Sequence, residues 1–351
     1  MLEGLRTDEA TVIRVVTLLA YGCPLQAIVH AFGLDERTVA AWQKRAGTHC
    51  KRVHMDVVQQ GRVESRHIQA DEIRAKGRKL VVWMALAMDV TTRLWLAGVV
   101  SQHRDRTLID LLLQQARTCC QVVHGLLVCT DGFAAYPKSI VRAFREKVKT
   151  QAGPGRCRLE AWPNLCIATV IKHTKKKRVV EITRKITRGT SEKAKELLLL
   201  TKGCTEFNTA FIERLNGTFR ERLASLTRKC RHAAARIGTL EEGMYLIGCS
   251  YNFCIPHQEL SKETHFGHPT TPAMAATLTD HIWSIRELLW YKVAPACFVQ
   301  VNSAKPKRSR GRPRKSADVQ PTQPKRSRGR PPKHVLAQVL AAARTAGSFT
   351  N

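Results

Sequence analysis

"HIQADEIRAKGRKLVVWMALAMDVTTRLWLAGVVS" (residues 67–101) is the stretch on which the fold turns. Its opening, "HIQADEI", alternates polar and apolar side chains, the period of a β-strand. "KLVVWMALAMDV" (79–90) is a continuous apolar run, and "RLWLAGVVS" (93–101) follows a polar turn at Thr91 and Thr92. Three such segments with short connections predict an antiparallel meander. Next, "DRTLIDLLLQQARTC" (105–119) carries apolar residues at helical spacing. "GLLVCTDG" (125–132) is a short, wholly apolar strand of the kind buried in a parallel sheet, and a helix is expected over 137–145. The order β-β-β-α-β-α predicts an α/β domain, with Asp71 on the first strand and Asp131 at the carboxyl end of the fourth.

Further along, "FNTAFIERLNGTFRERL" (207–223) spaces Ile212, Leu215, Phe219 and Leu223 as one helical stripe. Glu213, Asn216 and Arg220 fall along the flank of that stripe, where a helix half enters the core. Glu213 stands among Arg214, Arg220, Arg222, Arg228 and Lys229. It reads either as a solvated partner of Arg220 or as an acid aimed at a site. Between Asp131 and this helix, residues 146–205 are irregular and basic. "CIATVIKH" (166–173), the tip "TKKKR" (174–178) and "VVEITRKI" (179–186) are expected to form a hairpin, taken as the fifth strand plus an insertion. The run Lys172 to Arg178, which includes Lys175, Lys176 and Lys177, is either a solvated loop or a contact to a nucleic-acid backbone.

Charge narrows the partners. The chain has 58 Lys and Arg against 28 Asp and Glu, a formal +30 over 351 residues, and such an excess attracts polyphosphates. Residues 1–50 hold five bases and five acids, whereas residues 302–334 hold twelve bases and one acid. The middle and the tail therefore carry the nonspecific attraction. No apolar run is long enough for a membrane span and the N-terminus lacks a secretion signal, so a cytoplasmic, nucleoid-associated protein is expected. The twelve cysteines are scattered and form no C-x-x-C pair, which predicts reduced core residues.

At the N-terminus, "PLQAIVHAFGLDERTVAAWQKRAG" (24–47) follows a helix over 8–21 and predicts helix, turn at Gly33, and a second helix over 36–44. It resembles a helix-turn-helix, with Val29 where many such motifs place a smaller residue. A structural cap of three short helices is the other reading. If the motif binds DNA, Arg37, Thr38, Gln43, Lys44 and Arg45 are among the residues expected to meet a major groove. At the other end, "PKRSRGRPRK" (306–315) and "PKRSRGRPPK" (324–333) repeat one another. Each resembles an AT-hook, with cores Arg310-Gly311-Arg312 and Arg328-Gly329-Arg330 followed by proline. Glycine allows close approach to a minor-groove floor, and guanidinium groups suit its negative potential.

Taken together, "ADEI", "CTDGFAAY", "NTAFIERLNGTFRERL", "YNFCIPH" and "TPAMAATLTDHIW" resemble the DDE transposases of bacterial insertion sequences, relatives of retroviral integrases. The resemblance covers roughly 66–290 and implies an RNase H-like core with a mixed five-stranded sheet. It implies that Asp71, Asp131 and Glu213 are catalytic and hold two Mg2+ ions, or Mn2+, for in-line attack on phosphorus. It places Asn216 and Arg220 near bound DNA. Glu72 and Asp89 compete for the first position; Glu72 should point to the opposite sheet face, and Asp89 should be engaged in the hairpin turn. Partners would be double-stranded DNA, as element ends and target, and a second copy of the chain in a dimer or larger assembly on DNA. The 82 residues from Asp131 to Glu213 exceed the spacing of compact members, so the insertion should loop out of the core. The expected organisation is a DNA-binding domain at 1–50, a linker at 51–65 and a core at 66–256 with its insertion at about 146–205. A helical extension at 257–301, a basic tail at 302–334 and a short helix or disordered end at 335–351 follow. A catalytically silent DNA-binding regulator and an RNase H-like nuclease remain alternatives.

Overall fold

The computed structural model describes residues 4–76, 81–149, 157–176, 178–201, 205–226, 236–263 and 267–293. Three helices open it: α1 (Glu9–Ala20), α2 (Leu25–Phe32) and α3 (Glu36–Val57). Gly33, at φ 63°, ends α2, and Asp35 caps α3 by accepting the Arg37 N–H at 2.8 Å. α3 runs well past the expected stop at Lys44, into the expected linker, and the reason is its apolar stripe. Val39, Trp42, Ala46, Cys50, Val53 and Val57 recur at three- and four-residue spacing and are all buried.

β1 (His67–Lys76), β2 (Val81–Asp89) and β3 (Trp95–Ser101) form the expected antiparallel meander. Asp89 closes the turn: its carboxylate accepts from Ser65 Oγ, the Thr92 N–H and Thr92 Oγ1. α4 (Arg106–Cys119) leads to β4 (Leu126–Thr130), which pairs in parallel with β1, and α5 (Tyr136–Ala143) follows. β5 (Arg145–Val148) and β6 (Arg158–Ala161) make a separate small hairpin. β7 (Leu165–Lys175) then returns alongside β4 in parallel, and β8 (Arg178–Arg188) pairs antiparallel with it. The result is one mixed six-stranded sheet ordered β3-β2-β1-β4-β7-β8.

That order corrects the expectation that residues 146–205 loop out. β7 supplies the pairing that the apolar strand β4 needs on its free side. α6 (Ser191–Leu200) then covers this part of the sheet with Ala194, Leu197 and Leu198, packed with Leu127, Cys129, Cys166 and Ala168. α7 (Ala210–Arg222) lies on the same face beside β1, while α4 and α5 cover the other.

α8 (Ile237–Cys249) packs along α3. At Gly47 a Cβ would collide with the Glu242 carbonyl group, so only glycine permits this crossing. Nearby, the buried His54 Nε2 donates to the Leu96 carbonyl of β3 at 3.0 Å. The N-terminal helices are thereby built into the same unit as the sheet, which clusters as residues 1–295. After α8, a π-helical turn at Ser250–Cys254 brings Asn252 to the free edge of β3. There it accepts the Trp95 N–H and donates to the Trp95 carbonyl, both at 2.9 Å, as a neighbouring strand would. α9 (Gln258–Glu263), α10 (Pro272–Ala275) and α11 (Ile285–Trp290) complete the described chain. No helix among the described residues is long and apolar enough to cross a membrane.

Candidate active site

The parallel pairing of β1 with β4 ends at Ala70 and Thr130. The next residue of each chain segment is an aspartate: Asp71, still within β1 and paired with Leu86 of β2, and Asp131, just past the carboxyl end of β4. β1 also carries buried polar side chains at alternate positions, all turned toward α6 and α7. The Thr201 hydroxyl donates to the Leu197 carbonyl at 2.8 Å, leaving its oxygen to accept from His67 Nδ1 at 3.2 Å. Gln69 Oε1 accepts from the backbone N–H groups of Phe211 and Ile212, each at 3.1 Å, and its Nε2 donates to the Asn208 carbonyl at 2.9 Å. Those amides belong to the first turn of α7, where no intrahelical partner exists. With the start of the helix fixed this way, Asn216 Nδ2 donates to Asp71 Oδ2 at 2.8 Å.

Glu72 faces the α4–α5 side, as the strand period requires, and is nearly buried. Its Oε2 accepts from Arg104 Nε at 3.1 Å and Nη2 at 2.8 Å. The same Nη2 donates to Asp131 Oδ2 at 3.0 Å, while Asp131 Oδ1 accepts the Phe133 N–H at 3.0 Å. Arg104 lies over the rings of Phe133 and Trp83, 4.3 and 5.2 Å from their centroids. Although Asp71 and Glu72 leave opposite faces, one carboxylate oxygen from each of Asp71, Glu72 and Asp131 lies within 4.8 Å of the others. The sheet is open at this end because β4 stops at Thr130, and both side chains reach round the edge.

Glu213 lines the same cleft of about 440 Å³, together with Asp71, Arg104, Asp131, Lys172 and Thr209. It stands outside the tight group of three. Its carboxylate accepts from Thr209 Oγ1 and is ion-paired with Lys172 Nζ. Burial, reinforced by the charges of Glu72, Asp131 and Glu213, pushes the Asp71 carboxyl up to about 7. Burial also raises Glu72, against the pull of Arg104.

Hard oxygen donors crowded in this way suit a divalent cation such as Mg2+. A second feature agrees: Glu72 Oε1 is buried without a well-aligned hydrogen bond, with only the Tyr136 hydroxyl beside it. Asp71, Glu72 and Asp131, with Glu213 across the cleft, are the side chains that could hold such ions.

The expected nucleic-acid contacts scatter more widely. Asn216 is 1 % exposed and bound to Asp71, so its role is internal and it is not a surface contact. Arg220 is half-buried on α7. β7 outruns β4 beyond Thr169, and its last residues rise with β8 as a two-stranded ribbon that exposes Lys175 and Lys176. On α3, Arg37, Lys44 and Arg45 are exposed, and Thr38 and Gln43 half-buried. Lys177 and the tail residues Arg310, Gly311, Arg312, Arg328, Gly329 and Arg330 lie outside the described residues. Sequence reasoning does not single out Gln69 or Arg104 as site residues, and takes Lys172 as the start of a basic run and not as a partner of Glu213. A glutamine at the centre of a strand flanked by two others is a usable signal, since a buried amide requires partners; Arg104 gives none.

Residues 307–318 and 325–337 match the AT hook motif. No curated protein matches the chain. Among solved structures, a piggyBac transposase in a synaptic complex with hairpin DNA aligns over 87 % of this chain and 78 % of its own, at 10 % identity and a TM-score of 0.35.

Proposed function

We propose that this chain is a DDE-type transposase with an RNase H-like core, which cleaves the ends of its DNA element and joins them to target DNA. The observation that carries this reading is the pair Asp71 and Asp131, adjacent at one sheet end, with Glu213 of α7 on the same cleft. The strand order supports it, since it puts the first and fourth strands side by side at the sheet centre. The AT hook matches and the +30 charge supply the affinity for duplex that such chemistry needs.

When bound, divalent cations would activate the attacking oxygen and stabilise the leaving one. In the first step water bonds to phosphorus and the P–O3′ bond breaks, freeing a 3′-hydroxyl; in the second that hydroxyl attacks a target phosphodiester and displaces its own 3′-oxygen. The protein's part is placement. Gln69 fixes the first turn of α7, and Asn216 orients Asp71. Arg104 and Lys172 offset the repulsion among four carboxylates. The exposed lysines of the β7–β8 ribbon would grip backbone phosphates beside the cleft, and α3 would read sequence.

The test is a labelled duplex made from the DNA flanking the gene, incubated with Mg2+ and scored for a freed 3′-hydroxyl and for covalent joining to a second DNA. Joining supports the transposase, hydrolysis alone supports the nuclease, and duplex binding without either supports the regulator. Asp71→Asn, Asp131→Asn and Glu213→Gln should each abolish both steps while leaving duplex binding intact. A Glu213→Gln protein with normal cleavage would remove that residue from the site.

A further inference from the structure

Asp71, Asp131 and Glu213 line this cleft and Glu72 lies buried beside it, and three of these four carboxylates are already held by two cations of the chain itself, Arg104 and Lys172. Arg104 is the more constrained of the two. Its Nε and Nη2 both rest on Glu72 Oε2, and its plane is held by Phe133 and Trp83. Only the 3.0 Å bond from Nη2 reaches on to Asp131 Oδ2. Both oxygens of Asp131 are therefore engaged, one by Arg104 and one by the Phe133 amide. A metal ion approaching Asp131 Oδ2 would meet a guanidinium already there.

We propose that Arg104 is a tethered counter-ion of the site. It holds Asp131 before a divalent cation enters, yields Asp131 to that cation, and then turns the released N–H of Nη2 to a substrate phosphate while its bonds to Glu72 stay. Glu72 is the positioning residue that keeps Arg104 at the rim during the exchange. This rests on the metal-dependent reading of the cleft given above. The division of labour follows from the contacts. The Glu72 arm is buried and doubly bonded and is backed by aromatic rings; the Asp131 arm is single and lies at the open end of the cleft. A planar guanidinium can release one N–H from Asp131 while its Nε–H and the other Nη2 N–H stay on Glu72, so its plane keeps its orientation. The exchange also leaves each charge paired, since the carboxylate released by Arg104 is taken up by the incoming cation as the arginine turns to a phosphate.

The experiment is titration of the full chain with Mn2+ alone, by calorimetry and by loss of the free-ion magnetic resonance signal, followed by single-turnover cleavage at saturating Mn2+. Arg104→Ala should bind Mn2+ more tightly, by about threefold to tenfold, because a competing cation has gone. It should nevertheless cleave more slowly, by about tenfold or more, because a donor to the phosphate has gone. Arg104→Gln, which keeps a neutral donor, guards against misfolding of the alanine variant and should share the tighter binding. Glu72→Gln, which loosens the anchor of Arg104, should lower the cleavage rate of the wild type toward that of Arg104→Ala at saturating Mn2+. Unchanged or weaker Mn2+ binding in both Arg104 variants overturns the counter-ion role, and unchanged cleavage overturns the phosphate role. A wild type that binds no Mn2+ overturns the metal reading and this inference together. A wild type that binds Mn2+ with the expected Arg104 effect, yet never cleaves DNA, leaves the counter-ion standing and sinks the proposed transposase.

Discussion

The side-chain amide of Asn216 on α7 donates to the carboxylate of Asp71 on β1 at 2.8 Å, across 145 residues of sequence. Asn216 is 1 % exposed, and Asp71 is half-buried in the wall of the cleft, where desolvation raises its carboxyl to about 7. The contact fixes which way Asp71 faces. Asn216→Ala should therefore lower cleavage by about tenfold to a hundredfold, through loss of that orientation, while DNA affinity stays within about twofold of wild type. A mobility-shift titration beside the cleavage assay separates the two. A variant that loses binding and keeps the rate would make Asn216 a DNA contact after all.

Gln69 anchors α7 with three hydrogen bonds from one side chain, two accepted from helix amides and one donated to the Asn208 carbonyl. Gln69→Leu keeps the bulk and leaves those groups buried without partners, so unfolding free energy should fall by about 3 kcal/mol. Urea denaturation followed by circular dichroism measures it. A drop below about 0.5 kcal/mol would mean that the helix start is held by something else.

His54 and His67 are fully buried, and burial lowers them to about 4 and about 3; Arg93 adds to the shift of His67. Both are neutral in the folded chain and free to protonate in the unfolded one. Their contribution is intact above the ordinary histidine value of about 6.5 and is lost as pH falls from there toward about 4 and about 3. Asp89, raised by burial, works in the opposite sense, so the informative comparison is with a variant that shares it. Between pH 7.5 and 5, wild type should lose more stability than a His54→Phe, His67→Leu double variant, by roughly 2 kcal/mol or more. Parallel pH profiles would show that these imidazoles do not set the acid limit.

Truncation after Asn302 removes the AT hook matches and the twelve bases of residues 302–334. Affinity for A·T-rich duplex should fall, and the slope of log affinity against log salt should flatten, since fewer counterions are released. An unchanged slope would leave the tail without a role in backbone binding.

Residues 1–50 are net neutral, so α3 should add choice of sequence more than raw affinity. Arg37→Ala with Arg45→Ala should erase preference for the element's terminal repeat over random duplex, at roughly 1–3 kcal/mol for each base no longer hydrogen-bonded. Equal weakening on both DNAs would mean that these exposed arginines only grip phosphate.

Much of this molecule is legible in local pattern. The alternation of residues 67–73, the apolar runs of β2 and β4, and the three- and four-residue spacing of α4 and α7 are properties of single segments, and each forms the expected element. Asp71 and Asp131 are legible for the same reason. Asp71 takes its place in the polar–apolar alternation of β1, and Asp131 stands one residue past the apolar strand β4; both are visible without knowing the neighbours. The length of α3 is also written in the stripe from Val39 to Val57, although the exposed residues between, rich in charge, obscure it.

Tertiary structure decided what those segments meet. The hairpin of residues 166–186 is legible in sequence, but its place is not, because whether a strand loops out or widens a sheet depends on a partner with an open edge, here β4 for β7. Gln69 and His67 look like an exposed strand face until α6 and α7 cover it, and only then do they become buried and bonded. The strand period puts Glu72 on the opposite face, and it is there. Distance across a sheet edge, however, is a matter of where the next strand stops, and β4 stops one residue before Asp131. Arg104 carries no mark in sequence among 58 basic residues, and Lys172 only that of a basic run, since what distinguishes a counter-ion from a surface charge is the carboxylate opposite, and folding alone brings that within reach.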